Sequence, residues 1–372
     1  MILIPAPTYL PARRANTVQV MKMAQALAQI GERVRVLVPA PPTHTQDPTW
    51  EMLAEHYGLE TQFDVEWTRA KPRWRSYDFG WWAARLAQRN RVKWMYTRHP
   101  QAAAFASLRG IPTILEVHDM PQGTAGPPLM RMFLRGRGGQ RVITITQALA
   151  DDLAAAYALP QTLVLPDGVD WARYANLPDI VEARAQLPVP LDGFVAGYTG
   201  HLYPGRGVET LFALAQTRPH ITFLVVGGNP SDVEDARRRA ESSGLSNLIL
   251  TGFVPNAALP RYQAACDVLL MPYQRQVAAS SGGDIGRYLS PMKLFEYLAC
   301  GRPILASALP VFGEVLNDRN AILLPPDEVT AWAATLDAFV VDPVRRHALG
   351  TQARTDAQKY TWQARARRLL SG

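Results

Sequence analysis

An apolar strand, a glycine-rich loop and the start of a helix follow one another in Phe194-Val-Ala-Gly-Tyr-Thr-Gly-His-Leu-Tyr-Pro-Gly-Arg-Gly-Val-Glu-Thr-Leu211. The helix is predicted to begin near Gly207, and the loop before it carries Gly200, Gly205 and the side chains of His201 and Arg206. Glycines let a backbone approach a ligand closely, and free N–H groups at a helix start attract anions. The arrangement is typical of a diphosphate site. A tight strand–helix turn with a surface arginine is the alternative interpretation.

A second helix start lies in Ser290-Pro-Met-Lys-Leu-Phe-Glu-Tyr-Leu-Ala-Cys-Gly301. Ser290 is predicted to cap this helix, Pro291 to occupy its first position and Gly301 to end it. Glu296 then lies one turn inside, where its carboxylate can accept hydrogen bonds from two ribose hydroxyls while the helix start holds phosphate. Lys293 is unfavourable for the helix dipole, which indicates an anion nearby. An exposed helical glutamate and a solvated lysine are the alternative.

Short apolar runs alternate with amphipathic stretches, and this alternation predicts parallel sheets covered by helices on both faces. A helix is expected over Asn16–Gln29, with Asn16 as its N-cap. The predicted strands are Ile2–Ile4, Val34–Val38, Lys93–Tyr96, Pro112–Val117, Arg141–Thr146, Phe194–Tyr198, Ile221–Val226, Leu248–Leu250, Val268–Met271, Pro303–Ala306 and Ala321–Leu324. The pattern restarts after a polar, proline-rich linker at 171–192. We therefore predict an α/β fold with two doubly wound, Rossmann-like domains, 1–170 and 193–354, that face a central cleft.

The composition is that of a folded protein, since 48% of the 372 residues are apolar and 19% are charged. Cys266 and Cys300, the two cysteines, cannot form a disulfide framework or a four-sulfur metal site, and they indicate a reducing compartment. The sequence holds no apolar run of 18 residues and opens without the basic start of a signal peptide. We therefore expect a cytoplasmic protein.

The net charge is +7, and two segments are strongly basic. Segment 69–98 has nine basic residues against one acidic residue, Asp78, with tryptophans and tyrosines interleaved, and segment 131–141 has four arginines and no acid. Such clusters predict contact with an anionic membrane surface, on the order of 1 kcal/mol per basic residue, which would place the protein on the inner face of the cell membrane. Solvated helix faces with buried tryptophans are the alternative. Nucleic acid is disfavoured as a partner, because no nucleic-acid-binding motif accompanies the clusters.

Taken together, the segments resemble the retaining glycosyltransferases of the GT-B fold, the group 1 or family 4 type that includes glycogen synthase and phosphatidylinositol mannosyltransferase. The resemblance covers most of the chain, because the segments follow the family's order. Besides the two stretches quoted above, they are Asn16-Thr-Val-Gln-Val, Glu116-Val-His-Asp119, Leu165-Pro-Asp-Gly-Val-Asp170, Leu250-Thr-Gly-Phe-Val254, Cys266-Asp-Val-Leu-Leu-Met-Pro272 and Tyr360-Thr-Trp362. The last of them resembles a C-terminal helix, 355–372, that crosses back to pack on the N-terminal domain.

The resemblance implies that the C-terminal domain binds the nucleotide-sugar donor and the N-terminal domain binds the acceptor. Arg206 and His118 are the implied catalytic residues, with Arg206 on a phosphate and His118 facing the sugar from the acceptor side. Ala15 and Asn16 are implied to lie on that acceptor side as well. The implied donor-binding residues are Gly200, His201 and Gly205 in the loop, Phe253 and Val254 at the base, Ser290 and the N–H groups of Met292, Lys293 and Leu294 at the distal phosphate, and Glu296 at the ribose.

Three positions depart from the family pattern. Tyr288 stands where the family carries a sugar-binding glutamate, eight residues before the ribose glutamate, and Asp284 is the substitute that the sequence offers. His201 stands where the family carries an arginine, and Ala15-Asn16 where it often carries glycine. These departures bear on the identity of the donor sugar and on how it is recognised.

The implied chemistry needs no metal. A leaving nucleoside diphosphate develops negative charge, which N–H groups and Arg206 can stabilise. The sequence holds no Asp-x-Asp pair, so neither a metal nor another cofactor is predicted. We predict transfer of a sugar from a UDP- or GDP-linked donor to a glycan, lipid-linked or small-molecule acceptor, in the synthesis of cell-surface polysaccharide or glycolipid. A nucleotide-sugar epimerase of the same fold and a non-catalytic binding subunit are the alternatives.

Overall fold

The apolar runs of the sequence form parallel strands that lie in two separate sheets. The computed structural model describes residues 1–12, 14–40, 47–68, 76–278 and 283–371. The chain divides into two units, Met1–Asp167 with Trp362–Gly372, and Gly168–Thr361. Each unit contains one of the sheets, and helices alternate with the strands in both.

The first unit is a doubly wound sheet of parallel strands. Its elements in chain order are β1 (Ile2–Pro5), α1 (Ala15–Gln29), β2 (Val34–Pro39), α2 (Trp50–Tyr57), β3 (Asp64–Thr68), α3 (Tyr77–Arg89), β4 (Trp94–Thr97), α4 (Pro100–Leu108), β5 (Thr113–Val117), α5 (Gly126–Arg135), β6 (Gly139–Thr144), α6 (Gln147–Ala156) and β7 (Gln161–Val164). The strand order is β3-β2-β1-β4-β5-β6-β7, so the direction of winding reverses between β1 and β4. Ligands of such sheets bind at this reversal, beyond the carboxyl ends of the strands.

The second unit repeats the plan. It contains α7 (Trp171–Ala175), α8 (Ile180–Arg184), β8 (Phe194–Thr199), α9 (Val208–Thr217), β9 (Ile221–Val226), α10 (Pro230–Ser242), β10 (Leu248–Gly252), α11 (Leu259–Ala264), β11 (Val268–Met271), α12 (Met292–Cys300), β12 (Ile304–Ser307), β13 (Ile322–Leu324), α13 (Val329–Val341) and α14 (Pro343–Ala357). The parallel strands follow the order β10-β9-β8-β11-β12-β13, and the winding reverses between β8 and β11. The carboxyl ends of β8 and β11 therefore mark the expected ligand site of this unit.

The last helix, α15 (Trp362–Ser371), belongs to the first unit and packs beside α1. Trp362, Ala366 and Leu369 form its buried face, at helical spacing. The prediction that the C-terminal helix packs on the N-terminal domain is confirmed. The helix begins at Trp362, because 343–357 form α14 of the second unit.

Two predicted helix caps are wrong by one or two positions. Asn16 lies inside α1, whose N-cap is Arg14, and the Thr17 hydroxyl donates to the carbonyls of Ala12 and Arg14 instead (2.8 Å to either). Pro291, not Ser290, is the N-cap of α12, because its extended backbone precedes the first helical residue. The helix end at Gly301 is as predicted, with a left-handed φ of 72°.

Residues 171–192 were expected to be a linker, yet they carry α7 and α8. Tyr174 and Ala183 from these helices are fully buried in the core of the second unit. Cys266 and Cys300 are free, buried thiols in the same core. Within the described part of the chain, none of the helices has the length and apolar character needed to cross a membrane.

Candidate functional site

The predicted phosphate loop lies at the winding reversal of the second unit. Gly200 directly follows β8, and Gly207, with a left-handed φ of 88°, precedes α9. A Cβ at Gly207 would lie 2.0 Å from the carbonyl oxygen of Pro272, so this loop lies directly against the residue that follows β11. A Cβ at Gly200 would lie 2.4 Å from the Lys293 ammonium. Glycine at both positions therefore lets the loop, the end of β11 and the start of α12 meet.

Three basic side chains converge beside this loop, and we call His201, Arg206 and Lys293 the cation cluster. His201 Nδ1, Arg206 Nε and Lys293 Nζ are buried and have no hydrogen-bond partner among the residues that the structure describes. Burial lowers the pKa of the Lys293 ammonium well below its usual value, and the Arg206 charge lowers it further. Burial and the neighbouring charges of Lys293 and Arg206 lower the pKa of His201. A buried, unpaired cation is costly, and an anion bound here would relieve that cost.

Aromatic rings hold the cation cluster in place. The Lys293 ammonium lies 3.9 Å above the Tyr198 ring, and the Arg206 guanidinium lies 5.0 Å above the Tyr273 ring. Arg206 Nη1 also donates to the Tyr273 hydroxyl at 2.8 Å. The His201 ring stacks on Tyr203 at 4.7 Å. Tyr198 and Tyr273 could not be predicted as site residues from the sequence, because a tyrosine in a strand or just after one is usually a core residue.

The start of α12 supplies backbone donors beside the cluster. Three N–H groups were predicted to bind a phosphate, and that of Leu294 already donates to the carbonyl of Pro291 at 2.9 Å. Met292 and Lys293 are the first two helical residues, whose N–H groups have no acceptor within a helix. No side chain caps this end among the residues described. The predicted contact therefore reduces to the N–H groups of Met292 and Lys293.

Glu296 lies half-buried, one turn beyond the start of α12, as predicted. The Gln263 amide, fully buried on α11, donates to Glu296 Oε2 at 3.4 Å and to the Thr199 hydroxyl at 3.3 Å. The Tyr174 hydroxyl in turn donates to Gln263 Oε1 at 2.9 Å. Gln263 thus links the carboxylate to the end of β8. Nothing in the local sequence around Gln263 distinguishes it from an ordinary helical glutamine.

The other donor-side candidates lie in loops of the same unit. Phe253 follows β10 with 44% of its surface exposed, and Val254 packs against the core. Asp284 Oδ1 accepts hydrogen bonds from the N–H groups of Val277 and Gly286, both at 2.8 Å, and these bonds lower its pKa. Asp284 therefore shapes its own loop. Residues 279–282 of that loop lie outside the described residues.

His118 follows β5 in the first unit, at the carboxyl edge of that sheet. Its Nε2 lies 2.6 Å from Oε1 of the fully buried Glu116. Burial and the charge of Arg98 lower the pKa of His118 to about 4, so the ring is neutral at pH 7. Ala15 and Asn16, the acceptor-side candidates, lie exposed at the start of α1.

The described part of the basic segments comprises α3 and α5, which both pack against α4, and the residues that follow each of these helices. The exposed arginines there are Arg85, Arg89, Arg91, Arg131, Arg135 and Arg137. Residues 69–75 lie outside the described residues, and Arg141 is buried with its guanidinium 5.6 Å above the Trp94 ring. Contact with an anionic membrane stays a prediction.

Two family models match the chain: "Glycosyltransferase Family 4" over 17–173 and "Glycosyl transferases group 1" over 193–342. The chain is 27% identical to a 2-deoxystreptamine glucosyltransferase of Streptomyces kanamyceticus over 88% of this chain and 89% of that protein. It is 26% identical to a D-inositol 3-phosphate glycosyltransferase of Xylanimonas cellulosilytica, over 96% of this chain and 87% of that protein. The match to a 2-deoxystreptamine N-acetyl-D-glucosaminyltransferase of Streptomyces fradiae, at 29% identity, spans 56% of this chain and about half, 49%, of that protein.

Solved structures share the fold. Anabaena Alr3699/HepE, crystallised with UDP-glucose, superposes with a TM-score of 0.72 at 20% identity, over 99% of this chain and 97% of that one. The family 4 match covers most of the first unit and ends six residues into the second, and the group 1 match lies wholly in the second unit. The chain therefore belongs to the group 1 and family 4 glycosyltransferases, enzymes with the GT-B fold.

Proposed function

We propose that the protein transfers a sugar from a nucleoside-diphosphate donor to a hydroxyl of its acceptor, with retention of configuration and without a metal ion. The observation that carries this proposal is the cation cluster between the loop after β8 and the start of α12, where His201 Nδ1, Arg206 Nε and Lys293 Nζ are buried without a hydrogen-bond partner in the described structure. A diphosphate bound there supplies acceptor oxygens for the three side chains and for the N–H groups of Met292 and Lys293. Its two phosphates balance the like charges of Arg206 and Lys293.

The same cations act in the reaction. Negative charge develops on the diphosphate oxygen as the bond to the sugar breaks. Arg206 is already oriented by its bond to Tyr273, and Lys293 by its place above Tyr198, so neither has to reorganise as that charge develops. Lys293 also gains from the anion, because a bound phosphate favours the protonated ammonium that burial disfavours. Stabilisation by fixed protein cations is the alternative to a bridging metal.

The relatives suggest the substrates. The two relatives reported above with matches over 89% and 87% of their own length are named for 2-deoxystreptamine and for inositol 3-phosphate, which are both small six-membered carbocycles. Their matches extend across the first unit, which the resemblance gives to the acceptor. HepE was solved with UDP-glucose. We therefore propose a UDP-linked hexose as donor, with a GDP-linked donor as the second choice, and a small polyhydroxylated ring as acceptor in preference to a glycan or a lipid-linked sugar.

Slow donor hydrolysis tests the proposal without an identified acceptor. The purified chain is incubated with UDP-glucose, UDP-N-acetylglucosamine, GDP-mannose and ADP-glucose, and released nucleoside diphosphate is measured with and without excess EDTA. We expect release from a UDP- or GDP-linked donor, at a rate that EDTA leaves unchanged and that a cyclitol acceptor increases. No release from any donor would contradict the transferase proposal. Loss of release on chelation, restored by Mg²⁺ or Mn²⁺, would contradict the metal-independent mechanism alone.

Replacing Glu296 with glutamine tests the ribose contact. The amide keeps the shape but loses the charge, and a hydrogen bond to a charged group contributes about 1.5–3 kcal/mol. Calorimetry should show UDP or GDP binding weakened by that amount, and the 2′-deoxy nucleotide should bind the wild type poorly and the variant with little further loss. Glu241→Gln, an exposed helical glutamate on α10 of the same unit, is the matched control and should bind like wild type. Equal affinity of the wild type for the ribo- and deoxyribonucleotides would remove Glu296 from the site.

A further inference from the structure

A buried chain of polar contacts connects the last helix to His118. Arg365 on α15 is 4% exposed, and its Nη2 lies 3.0 Å from Glu116 Oε2. Its Nη1 donates to the Tyr96 hydroxyl at 3.1 Å, and its Nε donates to the carbonyl of Pro166 at 2.9 Å. The guanidinium is therefore fixed by both side-chain and backbone acceptors. The other carboxylate oxygen, Glu116 Oε1, lies 2.6 Å from His118 Nε2.

Each oxygen of the Glu116 carboxylate has two polar partners. Oε1 accepts from the Gln19 amide at 2.7 Å as well as facing His118, and Oε2 accepts from the Tyr96 hydroxyl as well as facing Arg365. The Glu116 side chain is wholly excluded from solvent. A carboxylate held this way cannot rotate without breaking several charge-assisted hydrogen bonds. The position of His118 Nε2 is therefore set from α1, β4 and α15 together.

The charges around Glu116 keep it ionised. The titratable and charged groups facing it are Tyr96 on β4, Arg98 after β4, His118 after β5, Asp167 after β7 and Arg365 on α15. Burial alone would raise the Glu116 pKa, but Arg365, His118 and Arg98 together lower it below its usual value. An ionised carboxylate can only accept hydrogen bonds, so the proton of a neutral His118 ring must sit on Nε2. His118 Nδ1 then carries the free lone pair.

We propose that Arg365 is a positioning residue for sugar transfer, which acts through Glu116 to fix the ring plane and the Nε2–H tautomer of His118. His118 then offers Nδ1 as a hydrogen-bond acceptor to a hydroxyl of the reacting substrate, and an anionic group at that place is disfavoured. The inference rests on the proposed function and on the resemblance, which implies that His118 faces the donor sugar from the acceptor side. The His118 side chain keeps 21% of its surface exposed, so the buried chain of polar contacts ends at a ring that solvent can reach.

The tautomer can be measured without any substrate. The full chain is labelled with ¹⁵N-histidine, and the His118 signals are identified by their absence in His118→Gln. We expect the wild type to show the Nε2–H pattern across the neutral range. In Arg365→Met the pKa of Glu116 rises because its main cation is gone, and a protonated Glu116 can donate to Nε2. The His118 pattern should therefore change toward Nδ1–H as the pH falls, at a pH where the wild type does not change.

Activity should follow the tautomer. Nucleoside diphosphate release by Arg365→Met should show kcat lowered at least about tenfold with little change in KM, and an acid limb in its pH profile that the wild type lacks. Arg365→Lys keeps the charge and should restore most of the wild-type profile. Arg367→Met is the matched control, since Arg367 is exposed on the same helix and should leave both readouts unchanged.

A double variant separates positioning from stability. Arg365→Met alone leaves Glu116 buried and unpaired, which destabilises the fold. Glu116→Met with Arg365→Met removes both charges, so it should unfold near the wild-type temperature while kcat stays low and the His118 tautomer is no longer fixed. Recovery of kcat and of the Nε2–H pattern together with stability would overturn the proposal, because Arg365 would then be only structural. Unchanged release by His118→Gln would also overturn the proposal, because His118 would then have no part in transfer. The proposed function fails separately, if the wild type releases no nucleoside diphosphate from any donor.

Discussion

Arg206→Ala is expected to lower kcat/KM for the donor about 30- to 1,000-fold, or about 2–4 kcal/mol of transition-state stabilisation. Arg206 is pre-oriented by Tyr273, and its buried Nε has no partner in the described structure. Most of the loss should appear in kcat, because the charge on the leaving diphosphate is larger in the transition state than in the bound donor. Removing the cation also leaves Lys293 as the main charge facing that anion.

Steady-state kinetics of nucleoside diphosphate release check this expectation. Arg275→Ala is the matched control, because Arg275 is an exposed arginine of the same unit that pairs with Asp327 at 2.8 Å, and its kcat/KM should stay near wild type. Thermal unfolding of both variants with and without UDP separates lost binding from lost stability, since a bound ligand stabilises only a protein that binds it. An unchanged kcat/KM for Arg206→Ala would exclude Arg206 from the site.

The fold could be predicted wherever a strand has a continuously apolar sequence, as strands buried on both faces do. Such strands read as short continuous apolar runs, and all of those predicted, from Ile2–Ile4 to Ala321–Leu324, are strands in the structure, within a few residues at their ends. The missed strands β3 and β7 lie at the two edges of the first sheet. There Asp64 and Gln161 are exposed, so polar residues interrupt the apolar signal. The edge strands β10 and β13 of the second sheet were predicted, because Leu248–Leu250 and Ile322–Leu324 are continuously apolar, so the apolar run and not the position in the sheet decides the prediction.

The candidate site divides in a similar way. Glycines next to a strand end, and a lysine in the first turn of a helix, are local signals, so Gly200, Arg206, Lys293 and Glu296 could be predicted. Contacts between distant parts of the chain gave no such signal. Gln263 reaches Thr199 across 64 positions, and Arg365 reaches Tyr96 across 269. Only the folded structure shows that these residues hold the functional groups in place.

Residues 171–192 also show that long-range contacts cannot be predicted from local sequence. This polar, proline-rich stretch predicted a linker, but in the structure it makes several buried contacts. Arg184, the last residue of α8, is 4% exposed, and its Nη2 donates to Asp267 Oδ2 at 2.6 Å. Its Nε and Nη1 donate to the carbonyls of Ala265, Leu191 and Gly193 at 2.9–3.0 Å. Asp267 Oδ2 also accepts from the N–H of Val195 on β8 at 2.8 Å, so one ion pair ties α8 to the central strands.

Arg184→Met is therefore expected to lower the free energy of unfolding by about 3–5 kcal/mol, the usual cost of leaving one partner of a buried ion pair unpaired. Guanidinium denaturation of the full chain measures this free energy. UDP should still bind the folded variant, because Arg184 does not belong to the cation cluster. Val181→Ala is the matched control on the same helix, since Val181 is 64% exposed, and it should change the free energy by less than about 0.5 kcal/mol. Arg184→Met with Asp267→Asn should recover part of the loss, because the asparagine keeps an acceptor for Val195 and removes the unpaired charge. If Arg184→Met were as stable as the control, 171–192 would behave as the free linker that its composition suggested.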